Sequence, residues 1–195
     1  MAAPSSPSPL ATDPPPPPAT AILILYIVLG SILSFLAGRE PGTLPDNILK
    51  EVGPTLAVIC GFLVSYSLYD VMAVGVAKHK YPALRGKPYN DVPPQEPEEV
   101  YLAQRVLTNQ VEQMPAFIVG SISCAILVNG TVAALLALIW AILRRGYATT
   151  YRNGVGLPMK QIMIGLGKFT IPAYFCVNAM LMASAIHALR AIVSG

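Results

Sequence analysis

The chain has 195 residues, of which 54% are hydrophobic and 12% charged, and its mean hydropathy is +0.56. This composition departs from that of a soluble domain and indicates an integral membrane protein. The 13 Lys and Arg against 10 Asp and Glu give a net charge of +3, which does not argue for nucleic acid, and no basic stripe with interleaved aromatic residues occurs.

The N-terminal tail, residues 1–20, consists mostly of Pro, Ala and Ser. A segment of this composition cannot bury a core, so we expect it to be disordered or extended. The apolar stretch that follows, residues 21–37, is short for a bilayer core of about 30 Å. It predicts an additional N-terminal transmembrane helix, and a cleaved signal or a signal anchor is the alternative interpretation.

Four longer apolar stretches predict a transmembrane domain over residues 55–195. They run approximately over residues 55–77, 100–128, 131–143 and 161–193, and with their flanks each is long enough to cross a bilayer. The second and third of them meet at Asn129-Gly130, which predicts a tight turn. The expected fold class is therefore all-α, an integral membrane four-helix bundle with an additional N-terminal helix.

The distribution of Lys and Arg predicts the orientation of the bundle. Two connecting regions are basic, with Lys78, Lys80, Arg85 and Lys87 in the first and Arg144, Arg145, Arg152 and Lys160 in the second. If every stretch spans, these regions lie on the same side of the membrane. The positive-inside rule places both in the cytosol.

One polar motif interrupts the second of these stretches. Within "QRVLTNQVEQMPAF", Arg105, Asn109 and Glu112 are spaced i, i+4, i+7 and therefore share one helix face. We call these three residues the Arg-Asn-Glu stripe. At a rise of about 1.5 Å per residue, the stripe lies roughly 25 to 36 Å from the Asn129 turn and climbs from the hydrocarbon to the headgroup level.

The third stretch continues into a second stripe. Arg144, Tyr147 and Tyr151 are spaced i, i+3, i+7, and this Arg-Tyr-Tyr stripe reaches roughly the same depth. Polar groups inside a bundle face an interior or a cavity, which predicts a polar pocket near the cytosolic boundary. Its guanidinium, amide, carboxylate and hydroxyl groups suit a small zwitterionic peptide. Alternatively, Arg105 and Glu112 neutralise each other or neighbouring helices, and the tyrosines anchor the helix at the membrane interface.

The two stripes resemble the signatures of the MAPEG superfamily, the membrane-associated proteins of eicosanoid and glutathione metabolism. The Arg-Asn-Glu stripe, with Gln104 before it and Pro115 after it, is similar to the first signature, and the Arg-Tyr-Tyr stripe to the second. The segment "AKHKYPAL", Ala77 to Leu84, resembles the end of the family's first helix. The resemblance extends from about Thr55 to the C-terminus, and the microsomal glutathione transferase type 3 group is the branch that the chain resembles most.

This resemblance implies a left-handed four-helix bundle that forms a homotrimer, with the endoplasmic reticulum as the expected membrane. It also implies that glutathione binds between subunits, against the Arg-Asn-Glu stripe of one protomer and the Arg-Tyr-Tyr stripe of the next. The implied glutathione-binding residues are Arg105, Asn109, Glu112, Arg144, Tyr147 and Tyr151. The glutathione thiolate would attack a hydrophobic electrophile or reduce a lipid hydroperoxide. Without a Cys/His cluster, we expect no metal site.

The residue that would stabilise the thiolate is not identified by the pattern. Leu107 and Gln113 depart from the first signature, and near the start of the last helix, where the leukotriene synthase branch has an arginine, the chain has Lys160. Arg152 is adjacent to the second signature but out of register. Arg152 and Lys160 are therefore the catalytic candidates. The alternative function is a non-catalytic MAPEG-type membrane subunit that binds lipid or a partner protein complex.

Asp70 is a carboxylate about two turns inside the first long apolar stretch. An unpaired carboxylate at this depth would be costly. We therefore expect Asp70 to face the bundle and to pair with a basic side chain, and a role in the site is the alternative.

Overall fold

The computed structural model of the chain describes residues 46–84 and 97–194, so the predicted tail (1–20) and additional helix (21–37) lie outside the described residues. The helical elements in chain order are α1 (Asp46–Tyr66), a π-helical segment (Ser67–Val71), α2 (Met72–His79), a 3-10 turn (Pro82–Leu84), α3 (Glu98–Leu127), α4 (Gly130–Arg152) and α5 (Met159–Ser194). Within these ranges no residue forms a β-strand, and the all-α prediction is confirmed.

Four segments of the described chain are long and apolar enough to cross a membrane. They are Asn47–His79, Glu98–Leu127, Gly130–Arg152 and Met159–Leu189. The first comprises α1, the π-helical segment and α2 without interruption. Even the shortest, at 23 residues, is about 35 Å long and exceeds a hydrocarbon core of about 30 Å. The four predicted spans are thus confirmed, and the protein is a multi-pass integral membrane protein.

The helices α3 and α4 pack against each other, and each also packs against α1 and α5. Consecutive spans run in opposite directions, which gives the bundle two chemically different ends. The turn end contains Asn47 and the α3–α4 connection at Asn129. The basic end contains His79, Glu98 and Arg152.

An aromatic cluster holds three of the spans together. The ring of Trp140 stacks on Phe117 with centroids 3.8 Å apart and an interplanar angle of 9°. Phe62 meets both rings edge-on, at 4.9 Å from Trp140 and 5.7 Å from Phe117. Lipid tails are as apolar as these side chains, so helices in a membrane associate through close packing rather than through escape from water. The interlocked rings therefore stabilise the contact of α1 with α3 and α4.

At the turn end, the tight turn predicted at Asn129-Gly130 is confirmed. The Asn129 side chain caps α4 by accepting a hydrogen bond from the Val132 N–H at 3.0 Å. The Gly130 N–H donates to the Glu51 carboxylate at 2.9 Å. A Cβ on Gly130 would lie 2.0 Å from the backbone oxygen of Glu51, so α1 approaches α4 at a distance that only glycine permits.

We expect Gly130→Ala to lower the free energy of unfolding by about 1–3 kcal/mol, because α1 must move away from the new methyl group. Gly53→Ala is the matched control, since nothing lies within 4 Å of a Cβ at Gly53. That control should be neutral or stabilise the helix by about 0.5–1 kcal/mol. Unfolding in a titration with sodium dodecyl sulfate, followed by tryptophan fluorescence, measures both. Equal effects of the two substitutions would contradict the close approach.

Candidate functional site

The Arg-Asn-Glu stripe lies along one side of α3. Arg105 and Glu112 are exposed on the surface of the single chain, and Asn109 between them is half-buried. The neighbouring side of the helix faces the bundle, where Val106 and Phe117 are fully buried. The stripe therefore belongs to the outer face of the protomer.

The Arg-Tyr-Tyr stripe is instead buried, with Arg144, Tyr147 and Tyr151 each at most 4% exposed. The two tyrosine rings meet edge to face with centroids 5.2 Å apart. The Arg144 guanidinium carbon lies 4.4 Å from the centroid of the Tyr147 ring, within the range of a cation–π interaction. The aromatic ring thus stabilises a cation that lies inside the bundle.

The two stripes meet within one chain. The Arg105 side chain lies beside the Tyr151 side chain. The Tyr151 ring contacts that of Tyr147, which in turn lies beneath the Arg144 guanidinium. Four of the six predicted site residues therefore form a continuous polar line from the outer face of α3 to the interior of α4. Glu112 remains on the outer face. How this line meets a neighbouring subunit stays a prediction.

Gln110, which the sequence analysis did not single out, holds Arg144 in place. Its side chain is fully buried. The Arg144 Nε donates to Gln110 Oε1 at 2.7 Å, and Gln110 Nε2 donates back to the Arg144 backbone oxygen at 3.3 Å. Gln110 occupies the otherwise apolar face of α3 that also contains Leu102 and Val106. In the sequence, the signal for this role of Gln110 was a single amide on an apolar face of the helix.

Asp70 faces the bundle, as predicted, and is 1% exposed. It lies in the π-helical segment, a geometry that is frequent at functional sites. Its carboxylate forms an ion pair with Arg145, and Arg152 Nη1 lies 3.5 Å from Oδ1. Gln110 Nε2 also reaches Oδ2 at 3.4 Å. The expected pairing with a basic side chain is confirmed. We refer to Asp70, Gln110, Arg144, Arg145 and Arg152 as the Asp70 cluster.

The two catalytic candidates occupy different environments. Besides approaching Asp70, Arg152 donates a hydrogen bond of 2.7 Å to the backbone oxygen of Tyr69. Its guanidinium is therefore engaged by the π-helical segment. Lys160 is exposed near the start of α5.

Polar contacts join the elements at the basic end. Glu99 forms an ion pair with Lys80 and, through its hydrogen bond and its charge, raises the pKa of that ammonium group. Because Lys80 is exposed to solvent, this pair contributes little to stability. The Gly156 N–H donates to Glu98 at 3.0 Å, and Gly156 adopts a φ of +80°, which favours glycine. The α4–α5 connection is thereby tied to the start of α3.

A comparison of the sequence with known protein families agrees with this four-helix membrane architecture. The MAPEG family model matches residues 54–181, which is more than half of the chain and includes both stripes and the whole Asp70 cluster. No curated protein and no solved structure matches the chain. On the extent of the family match, this four-span membrane protein belongs to the MAPEG family.

Proposed function

We propose that the protein is a membrane-bound glutathione transferase or glutathione peroxidase of the microsomal type 3 kind. Its second substrates would be hydrophobic electrophiles or lipid hydroperoxides that arrive through the bilayer. MAPEG membership supports a function in glutathione or eicosanoid metabolism at the family level. The polar line from Arg105 to Arg144, together with Asn109 and Glu112 on the outer face of α3, supplies side chains that suit a small zwitterionic peptide.

The observation that carries this proposal is the exposure of Glu112. The helix α3 has 30 residues and is about 45 Å long, and Glu112 lies near its middle, 14 residues after Glu98. A carboxylate at this depth is costly if it faces lipid, and such residues line a wet cavity or meet a partner. We therefore propose that the Arg-Asn-Glu stripe faces a neighbouring copy in a homotrimer, with a recess for glutathione between subunits.

In this proposal, each polar group of the site has a counterpart on glutathione. Arg105 pairs with a carboxylate, Glu112 with the ammonium group, and Asn109 with a peptide group. Because Arg152 is engaged by Asp70, the cation nearest to the thiolate is assigned to the other catalytic candidate, Lys160, which is exposed near the start of α5. A cation lowers the pKa of a thiol and raises the fraction of reactive thiolate.

Two reactions are consistent with this chemistry. In conjugation, the thiolate sulfur forms a bond to an electrophilic carbon, and a group such as chloride leaves with its electron pair. In peroxide reduction, two glutathione thiols supply two electrons and two protons. The hydroperoxide becomes an alcohol and water, and the two sulfurs form a disulfide.

We expect Arg105→Ala to weaken glutathione binding about 10- to 100-fold, because it removes a charge-assisted hydrogen bond. Tyr151→Phe should weaken binding less, since it removes only the hydroxyl that contacts Arg105. Lys168→Ala and Tyr69→Phe are matched controls at exposed positions and should bind as the unmodified protein does. Calorimetric titration of the purified full-length protein in detergent measures the binding. Conjugation of a chlorinated aromatic compound and reduction of a lipid hydroperoxide measure turnover.

The second candidate function is a non-catalytic membrane subunit that binds lipid or a partner protein complex. The engagement of Arg152 by Asp70 and by the Tyr69 carbonyl favours it, because one of the two catalytic candidates then has a structural partner. Absence of glutathione binding and of both activities, with unchanged behaviour of Arg105→Ala, would support this second function and contradict the first.

A further inference from the structure

A cleft lies between α1 and α4, and none of its lining residues belongs to either stripe. Its volume is about 260 Å³. The lining side chains are mostly apolar or small: Val58, Gly61, Phe62, Ser65, Ala141 and Ile142. Such a surface favours an apolar occupant.

The two ends of this cleft differ in charge. Toward the turn end the lining is aliphatic, whereas Arg145 lines the cleft toward the basic end. The Arg145 guanidinium pairs with Asp70 and lies 5.5 Å from the centroid of the Phe62 ring. Its Nε and Nη1 are buried and have no hydrogen-bond partner among the described residues. Buried donors without an acceptor are destabilising, so a ligand acceptor toward which the guanidinium can turn would be favoured.

The charge balance of the Asp70 cluster indicates the sign of that ligand. Three guanidinium groups, those of Arg144, Arg145 and Arg152, accompany the single carboxylate of Asp70. The cluster therefore has an excess of positive charge, and because the Arg145 and Arg152 side chains are 27% and 28% exposed, part of that charge lies at the surface of the protomer. An anionic group beside Arg145 would offset this excess charge.

We propose that this cleft binds one chain of a long-chain carboxylate drawn from the bilayer, with the carboxylate beside Arg145. Guanidinium and carboxylate form strong charge-assisted hydrogen bonds. The volume is below the roughly 300–1,000 Å³ typical of pockets for whole ligands, which favours a single acyl chain over a two-chain phospholipid. The lining of this cleft shares no residue with the two stripes, so binding in the cleft and binding of glutathione can be measured, and can fail, independently.

The protein contains its own reporter for this site. Trp140 is the single tryptophan of the chain, and its ring centroid lies 4.9 Å from that of Phe62, which lines the cleft. A brominated acyl chain in the cleft therefore quenches Trp140 at short range. We expect a brominated long-chain fatty acid to quench the full-length protein saturably in nanodiscs of unbrominated phosphatidylcholine. The brominated alcohol of the same length, which lacks the charge, should bind about tenfold more weakly.

Two variants and one control test the location. Gly61→Leu fills the cleft at a position where nothing lies within 4 Å of a Cβ, and it should abolish saturable quenching by the acid. Gly167→Leu is also at an open position, outside the cleft, and should leave quenching unchanged. Arg145→Gln should reduce the affinity for the acid to that for the alcohol. If Arg145→Gln does not fold, the comparison of Gly61→Leu with Gly167→Leu decides the result.

Several outcomes would overturn this proposal. Equal, non-saturating quenching by acid and alcohol would mean simple partitioning into the membrane. Saturable quenching that persists in Gly61→Leu would place the ligand elsewhere. Saturable quenching by a brominated phospholipid in preference to the acid would assign the cleft to a two-chain lipid. An absence of quenching in the unmodified protein would mean that another surface, such as a second copy, covers the cleft.

Discussion

Asp70→Asn is expected to lower the free energy of unfolding by about 3 kcal/mol, at the lower end of the cost of removing one partner from a buried ion pair, because the Arg145 and Arg152 side chains are 27% and 28% exposed. Asparagine keeps the shape of the side chain and removes its charge. The guanidinium groups of Arg145 and Arg152 then remain beside the π-helical segment without their shared counter-charge. Titration with sodium dodecyl sulfate in mixed micelles, followed by the fluorescence of Trp140, measures the change.

The exposed ion pair of Lys80 and Glu99 provides a control with the same chemistry. Glu99→Gln also neutralises a carboxylate that pairs with a cation, but at the surface, and should cost less than about 1 kcal/mol. The double variant Asp70→Asn with Arg145→Gln should cost less than the sum of the two single changes, because the second removes a charge that the first leaves unpaired. If Asp70→Asn costs no more than Glu99→Gln, Asp70 does not hold the cluster together.

Trp140→Ala is expected to lower the free energy of unfolding by about 3 kcal/mol, at the lower end of the range for a buried tryptophan. The lower end applies because the unfolded helices stay in an apolar environment, so the loss comes from the cavity and the missing ring contacts rather than from transfer to water. The ring is 1% exposed and is stacked on Phe117. Since this variant lacks the fluorescent reporter, circular dichroism during the detergent titration measures its unfolding.

Leu135→Ala on the same helix is the matched control for Trp140→Ala. Leu135 is 56% exposed on the single chain, so detergent or lipid fills the space that its side chain leaves. Its loss should change the unfolding free energy by less than about 0.5 kcal/mol. A Trp140→Ala effect as small as that of Leu135→Ala would show that the aromatic cluster does not determine how α1, α3 and α4 associate.

The sequence by itself determined the four spans, the turn at Asn129-Gly130 and the inward orientation of Asp70. Each depends on residues that are close in the chain: on the length of an apolar run, on a turn dipeptide, or on the cost of one carboxylate in a membrane. The 3.6-residue period likewise aligned each stripe on one side of its helix. Those features follow from local sequence because a helix fixes the relative directions of its own side chains.

The tertiary structure decided which groups meet. The partners of Asp70 are Arg145 and Arg152. From the sequence, Arg145 contributed only to the predicted orientation, and Arg152 contributed to the orientation and was a catalytic candidate. Gln110 and the cleft beside Phe62 were not predicted. These contacts depend on how far each helix is rotated about its own axis, and the π-helical segment changes that rotation where Asp70 lies. Rotation is set by packing between distant segments, so hydropathy and spacing within one segment do not specify it.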